Sequence, residues 1–303
     1  MTDRISTYAT SASLTNQALK LQSRFATTQQ QQSSGLKSEH YDGIARDSKR
    51  LLNLQSQFDA ITANVTSISA AQSRLTAMQN AMDGIQDLFT SVLAQFSQAQ
   101  AGGYTEASSA ITAAQSQAWR DELVSLLNTQ YGGSYLFGGG AKDTAPVNLS
   151  AAGYDPNDLS VYPDYGYYQG DDVTDSVRAS QTLRIDYGVT AENSAFEKAI
   201  RALSTAIVNP ADPEILARAQ ALIKEASNEV ADISGILTGK ASILEKESQM
   251  HAATLDYLDS AISDLRNVDM ASTTLQLTQL ETQLEASYAT LSKLLSLKLS
   301  DYL

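Results

Sequence analysis

The chain contains no cysteine among its 303 residues. Disulfide bonds, thiolate metal sites and cysteine nucleophiles are therefore excluded. Proline occurs five times, histidine twice and tryptophan once. Charged residues make up only 18% of the chain, below the roughly 25% of ordinary globular proteins. Most of the polar surface must therefore come from Ser, Thr, Gln and Asn.

Basic residues are also few, and no long apolar run is present. The 21 Lys and Arg residues face 34 Asp and Glu residues, which gives a net charge of −13. Without a basic stripe, nucleic acid and anionic membranes are excluded as partners. No run reaches the ~18 apolar residues of a membrane span. No basic segment followed by a long apolar segment opens the chain, so we expect no cleaved signal peptide.

Motifs that carry catalysis or metal binding are missing as well. Neither His40 nor His251 is followed by a second ligand three or four residues later. The stretch "GGSYLFGGG" lacks the lysine and the strand-to-helix context of a phosphate-binding loop. The acidic stretches at 154–158 and 171–172 lack the ligand spacing of an EF-hand, which favours solvated turns. We therefore expect no metal, no cofactor and no enzymatic activity.

The sequence does contain long coiled-coil patterns. Residues 5–32 predict one helix, with Gly35 as its stop. A helix of some fifty residues follows from Ile44, with a local stammer near Leu75, because its apolar positions alternate three and four apart. A third helix is predicted at roughly 106–130. Helices of this length need partner helices of similar length to bury their apolar seams.

The middle of the chain changes character before helical patterns return. Residues 141–194 contain three of the five prolines, and eight of the fourteen tyrosines lie between 131 and 187. This composition predicts a small β-rich insertion. Ser194 and Glu197 then predict a capping box. Asp212 and Pro213 predict the start of a helical stretch that runs, with one interruption, to the end of the chain.

This order predicts a mainly α fold. Both chain ends form a long antiparallel helical bundle or coiled coil, and the small β-rich insertion lies at the tip. We expect three domains. Residues 1–42 with 265–303 form a terminal coiled-coil domain for assembly, residues 43–140 with 195–264 form a helical rod, and residues 141–194 form the small outer domain.

The helices at the two ends have an unusual surface. Ser, Thr, Gln and Ala flank their apolar seams, so they can be surrounded on several sides without burying unpaired charge. The apolar pattern also includes Ile5 and Tyr8 at one end and continues from Leu294 to Leu303 at the other, which predicts assembly into a polymer. The predicted interface residues are Ile5, Tyr8, Leu14, Ala18, Leu21, Phe25, Leu280, Leu284, Leu291, Leu294, Leu295, Leu299, Tyr302 and Leu303.

Four stretches in order resemble the flagellin superfamily. They are "RIST" at 4–7 leading to "SSGLK" at 33–37, the long heptad helix after it, "LLNTQYGGSYLFGGGAKDTAPV" at 126–147, and the leucine-rich segment at 275–303. Within this superfamily the motif Tyr135, Leu136, Phe137 and Gly138, together with "YYQGDD" at 167–172, is most similar to the hook-associated branch that joins hook to filament.

The resemblance implies a structural subunit of the bacterial flagellum that polymerises through its terminal helices. The implied partners are further copies of the chain, hook-associated protein 1, flagellin and a type III export chaperone. The implied location is the extracellular flagellum, reached through the flagellar export channel in unfolded form. A short flagellin that forms the filament itself stays an alternative. A surface module that binds glycans through the tyrosine-rich insertion is a second alternative.

Overall fold

The structure is a computed structural model. It describes the backbone of residues 2–102, 105–158 and 163–300, and the side chains of residues 9–101, 105–158 and 163–293. Within these ranges no helix is long and apolar enough to cross a bilayer.

Six α-helices account for most of the described residues. They are α1 (Thr2–Ser34), α2 (Ser48–Gly102), α3 (Glu106–Leu127), α4 (Ser194–Val208), α5 (Pro213–Arg266) and α6 (Met270–Ser300), with a short 3-10 helix at Tyr41–Ile44. Four short strands complete the fold: β1 (Gln130–Tyr131), β2 (Ser134–Tyr135), β3 (Ser176–Arg178) and β4 (Arg184–Asp186). The predicted mainly α class is confirmed.

The strands form two antiparallel pairs. In the first, Gln130 faces Tyr135, and the turn is made by Gly132 and Gly133 with φ angles of 60° and 80°. A two-residue hairpin turn with positive φ at both positions favours glycine. In the second pair Val177 faces Ile185. The predicted insertion thus contains strands, but turns, bends and irregular backbone together occupy most of its described residues.

The chain divides into two compact units. One contains residues 1–60 with 254–303, and the other contains residues 61–253. In the second unit the helices and the described part of 130–191 share one apolar core, in which Phe89, Phe137 and Tyr167 are fully buried. The predicted division into three domains stays a prediction.

A ladder of glutamines joins α2 to α5 inside the second unit. The side-chain amide nitrogens of Gln72, Gln79 and Gln86 lie seven residues apart and donate to α5. Their acceptors are Glu245 Oε2 at 3.0 Å, Thr238 Oγ1 at 3.2 Å and Ser227 Oγ at 2.7 Å. As the α2 residue number rises, the α5 partner number falls, so the two helices are antiparallel here.

Two N-terminal caps were predicted, one for α4 and one for α5. The capping box at Ser194 is wrong: α4 is capped by Asn193, whose Oδ1 accepts from the Ala195 amide at 3.0 Å. Ser194 Oγ instead donates to Glu229 Oε2 at 2.8 Å, because its side chain faces α5. The predicted start of α5 is confirmed, since Asp212 Oδ1 accepts from the Glu214 amide at 2.9 Å.

In the first unit α1 and α6 pack against each other. Gln32 Nε2 of α1 donates to Thr274 Oγ1 at 3.1 Å, near the start of α6. α1 ends where predicted, at Gly35 with φ of 72°. The predicted interruption in the last helical stretch is also confirmed, because α5 ends at Arg266 and α6 begins at Met270. Asp269 caps α6 by accepting from the Ala271 amide at 3.0 Å.

Candidate assembly interface

The face of α1 that packs against α6 carries the predicted apolar residues. Ala18 is buried, and Leu14, Leu21 and Phe25 are half-buried. The same face continues to Thr28, which is 7% exposed. The spacing of these five positions is four, three, four and three, as in a coiled-coil seam.

The matching face of α6 shows the same spacing. Leu284 is 8% exposed, while Leu277, Leu280 and Leu291 are half-buried. At the start of this face Thr273 is 6% exposed. Sequence reasoning missed Thr28 and Thr273 because both are polar. The signal that could have found them is their position, since each continues the four-three spacing of its seam by one step.

The other predicted interface residues lie where side chains are not described. Ile5 and Tyr8 fall in the first turns of α1, and Leu294, Leu295 and Leu299 fall in the last turns of α6. Tyr302 and Leu303 lie outside the described residues. The role of all fourteen predicted residues in an interface between subunits stays a prediction.

A polar groove accompanies the apolar seam. It has a volume of about 480 Å³ and lies between α1 and α6. Its lining residues are Ser23, Arg24, Thr27, Thr28, Gln276, Gln279, Leu280 and Gln283. The hydroxyl and amide groups can hydrogen-bond to a further polar helix, and the Arg24 guanidinium can donate to a carbonyl or carboxylate on that helix.

The link between α1 and α2 is tied to the break between α5 and α6. Leu36 and Asn267 form an antiparallel β-bridge. The Lys37 amide donates to Arg266 O at 2.8 Å, and the Val268 amide donates to Gly35 O at 3.0 Å. Three helix ends are thereby held at one place in the first unit, which fixes where the α1–α6 pair begins. No sequence pattern had indicated this bridge.

The motif Tyr135–Gly138 has a structural position in the second unit. Leu136 and Phe137 are 2% and 0% exposed, and the Phe137 ring meets that of Phe196 edge to face, with centroids 6.2 Å apart. A side chain at Gly138 would collide with Ala141 O, 2.8 Å from an added Cβ. The motif therefore fastens the β1–β2 hairpin to α4 and presents no open ligand site.

A buried ion cluster connects the same hairpin to α2. Asp175 Oδ2 lies 2.6 Å from Arg74 Nε, and Asp175 Oδ1 lies 2.7 Å from Lys142 Nζ. The Arg74 and Asp175 side chains are only 10% and 11% exposed. Arg74 Nη2 also donates to Tyr135 O at 2.6 Å. One carboxylate thus holds two cations that come from α2 and from the loop after β2.

We expect Asp175→Ala to destabilise the second unit by about 3–5 kcal/mol, because it leaves the buried Arg74 guanidinium without its carboxylate. Denaturant unfolding followed by the fluorescence of Trp119, the only tryptophan, measures this change. Asp186→Ala is the matched control, since the Asp186 side chain is 65% exposed in its 3.4 Å pair with Arg184. That control should change stability by less than about 0.5 kcal/mol. Equal effects of the two substitutions would contradict a structural role for the Asp175 cluster.

The tyrosines of the insertion mostly pack into the core. Burial raises the pKa of Tyr154 and of Tyr168 to about 12 each, with nearby carboxylates adding to the shift. Burial also raises the pKa of Tyr167, whose hydroxyl donates to Ala191 O at 3.0 Å. Tyr131 is exposed on the hairpin. Among the described residues of the insertion, packed tyrosine rings leave little aromatic surface for stacking on a sugar.

The described residues contain no group of three or more His, Asp or Glu side chains suited to a metal ion. His251 is buried, and its Nε2 lies 2.6 Å from Ala179 O. Arg120 is also buried, and its Nη1 donates to Ser204 Oγ at 3.0 Å, while burial lowers its pKa. These polar groups connect elements within the second unit.

Comparison with known proteins gives a consistent result. Residues 220–303 match the family described as the bacterial flagellin C-terminal helical region. A flagellar hook-associated protein from Vibrio parahaemolyticus has a similar fold, with a TM-score of 0.62 at 20% identity over 72% of this chain and 97% of that one. FlgL from Bacillus cereus gives a TM-score of 0.56 at 16% identity, over 71% of this chain and 99% of that one. No curated protein sequence matches the chain.

The family match contains all of α6 and most of α5. The structural matches extend the likeness to the fold of about seven-tenths of the chain. Residues 220–303 are therefore similar to the flagellin C-terminal helical region, and the chain shares its fold with two flagellar hook-associated proteins, so the predicted resemblance to the flagellin superfamily is confirmed.

Proposed function

We propose that the chain is a structural subunit of the bacterial flagellum that joins hook to filament by polymerising through α1 and α6. The observation that carries this proposal is the incomplete burial of the α1–α6 pair. Leu14, Leu21, Leu280 and Leu291 remain half-buried although each lies on the face shared by the two helices.

A two-helix pair leaves part of each seam open, because a seam is closed fully only when helices cover it from several sides. Further apolar side chains lie outside the shared face: Leu19 is 57% exposed on α1, and Leu275 and Tyr288 are 62% and 49% exposed on α6. Neighbouring subunits that add their own α1 and α6 would cover both sets. The groove of hydroxyls and amides between the two helices fits the same arrangement.

The remaining parts of the proposal rest on the resemblance. The partners are further copies of the chain, a neighbouring hook-associated protein, flagellin and an export chaperone. The predicted interface residues, including those whose side chains are not described, are proposed to line the contact between subunits. Residues 141–194 are proposed to face outward from the assembly. The chain acts as a building block and not as an enzyme.

A filament-forming flagellin is the second candidate, and the match of residues 220–303 to a flagellin region favours it. The two candidates differ in what a deletion strain loses. Loss of a junction subunit removes the attachment point of the filament, whereas loss of a filament subunit removes the material of the filament itself.

Electron microscopy of a deletion strain tests the proposal. We expect cells with hooks but without filaments, and intact flagellin released into the medium, because the filament has nothing to attach to. Complementation with the full chain should restore filaments. Hooks without filaments and no other flagellin in the medium would favour the filament subunit. Normal filaments in the deletion strain would contradict both candidates.

A further inference from the structure

A second seam lies on the outer face of α5, away from the core of the 61–253 unit. Its positions are spaced four, three, four, three and four, which keeps them on one side of a helix. They are Asp232, Ile236, Gly239, Ile243, Lys246 and Met250, and all six are exposed. Ile236 is 62% exposed, Ile243 44% and Met250 53%. The core-facing side of the same stretch is occupied by Val230, Leu237 and Leu244, which are at most 1% exposed.

Two glycines accompany this outer seam. Gly235 and Gly239 lie in the interior of a 54-residue helix, where glycine is among the poorest helix formers. A Cβ atom added at either position would meet nothing within 4 Å. Contacts inside this unit therefore do not require glycine at either position. The missing side chains leave a shallow gap between Ile236 and Ile243, where the backbone of another helix can approach closely.

The charges on the outer seam decide which partner fits it. Asp232 lies seven residues before Gly239, and Lys246 lies seven residues after it. If a second copy of α5 crosses at Gly239 in the antiparallel direction, Asp232 of each copy lies near Lys246 of the other, and Ile236 lies near Ile243. A parallel pair in register would instead bring Asp232 against Asp232 and Lys246 against Lys246.

We propose that this face of α5 binds a second copy of the chain as an antiparallel, two-fold symmetric pair centred near Gly239. Such a contact is self-complementary, because one patch supplies both halves. The seam spans 19 residues, or roughly 28 Å of helix, and one pair of helices of that length buries less area than the roughly 1,600 Å² of a standard stable interface. The pair is therefore weak, with a dissociation constant of the order of 0.1–1 mM. It does not involve α1 or α6, so its failure would leave the proposed assembly role untouched.

The first test uses the unaltered chain and a zero-length carbodiimide, which joins a carboxylate to an amine as an amide. Asp232 and Lys246 are 14 residues apart on one helix, a separation of roughly 21 Å. An amide between them can therefore form only between two chains. We expect peptide mass spectrometry to find the 232–246 amide in the dimer band, increasing with protein concentration. Absence of this amide at about 1 mM protein would overturn the proposal.

The second test exchanges the charges. We expect Asp232→Lys to weaken dimerisation in sedimentation velocity by about tenfold or more, since two ion pairs become two repulsions. Adding Lys246→Asp to the same chain should restore association to within about threefold of the original. Ile111→Glu is the control on an exposed residue of α3, which is 59% exposed, and it should leave association unchanged. Two results would overturn the proposed pair: unchanged dimerisation of Asp232→Lys, or no recovery of dimerisation when Lys246→Asp is added.

The third test separates folding from association. Gly239→Ala should raise the melting temperature by about 2–4 °C, because alanine favours the helix. The same substitution should weaken dimerisation, because a methyl group fills the gap at the crossing point. A higher melting temperature together with weaker dimerisation would show that Gly239 serves the contact between chains and not the stability of the helix. A variant that is more stable and dimerises as well as the original chain would contradict the crossing at Gly239.

Discussion

Replacing Phe137 with alanine should lower the free energy of unfolding of the 61–253 unit by about 3–5 kcal/mol. Phe137 is fully buried and lies edge to face against Phe196 of α4. Removing its ring loses the transfer free energy of the apolar surface and leaves a cavity that close-packed neighbours fill only in part. The Ala191 amide donates to Phe137 O at 2.9 Å, and this backbone hydrogen bond does not depend on the Phe137 ring.

Denaturant unfolding with Trp119 fluorescence checks this expectation. Tyr131→Ala is the matched control, because Tyr131 lies in the same hairpin and is 44% exposed. We expect that control to change stability by less than about 0.5 kcal/mol. A loss below about 1 kcal/mol for Phe137→Ala would mean that the hairpin is not fastened to α4 through this ring. Phe137→Leu should recover part of the loss, because it refills part of the cavity.

Replacing Leu284 with aspartate should abolish incorporation of the chain into a flagellar assembly. Leu284 is the most buried of the predicted apolar interface residues on α6 whose side chains are described. The substitution removes a leucine from the α1–α6 seam and places an unpaired charge there, at a cost of about 3 kcal/mol or more. That cost falls on the pairing of α1 with α6, where it shifts the equilibrium at least about a hundredfold against the paired helices that the proposed assembly needs.

Counting filaments on complemented deletion cells measures the effect, and we expect almost none with Leu284→Asp. Leu284→Met is the conservative variant and should support normal filament numbers, since the volume changes little. The unfolding of the 61–253 unit should be the same in both variants, because Leu284 belongs to the other unit. Normal filaments with Leu284→Asp would remove the support for assembly through α6.

Periodic seams made the helices predictable from the sequence. The apolar residues of α2 recur three and four apart over many turns, a spacing that the two-residue period of a strand does not produce. The residue that caps a helix was predictable only where its side chain had a single available hydrogen-bond partner. Asp212 caps α5 as predicted. The Ser194 hydroxyl instead donates to Glu229, and Asn193 caps α4.

Contacts between distant segments could not be predicted from one sequence. The bridge between Leu36 and Asn267 uses backbone groups, which carry no sequence signal. The glutamine ladder between α2 and α5 could not be predicted, because one sequence does not show which helix lies opposite Gln72, Gln79 and Gln86. In the candidate interface the leucines were predictable from spacing, but Thr28 and Thr273 were not, because burial of a hydroxyl depends on the neighbouring helix.

The pairing of α2 with α5 has a consequence for the time at which the chain can fold. Gln100 bonds Gln220 at 2.9 Å and Gln72 bonds Glu245 at 3.0 Å, so the joined residues are 120 and 173 positions apart in the chain. At a synthesis rate of about 5–20 residues per second, roughly 6–35 s pass between the two halves of each contact. During that interval the completed α2 has no α5 to cover its seam. Any cellular factor that must meet this chain before it folds has that interval in which to bind it.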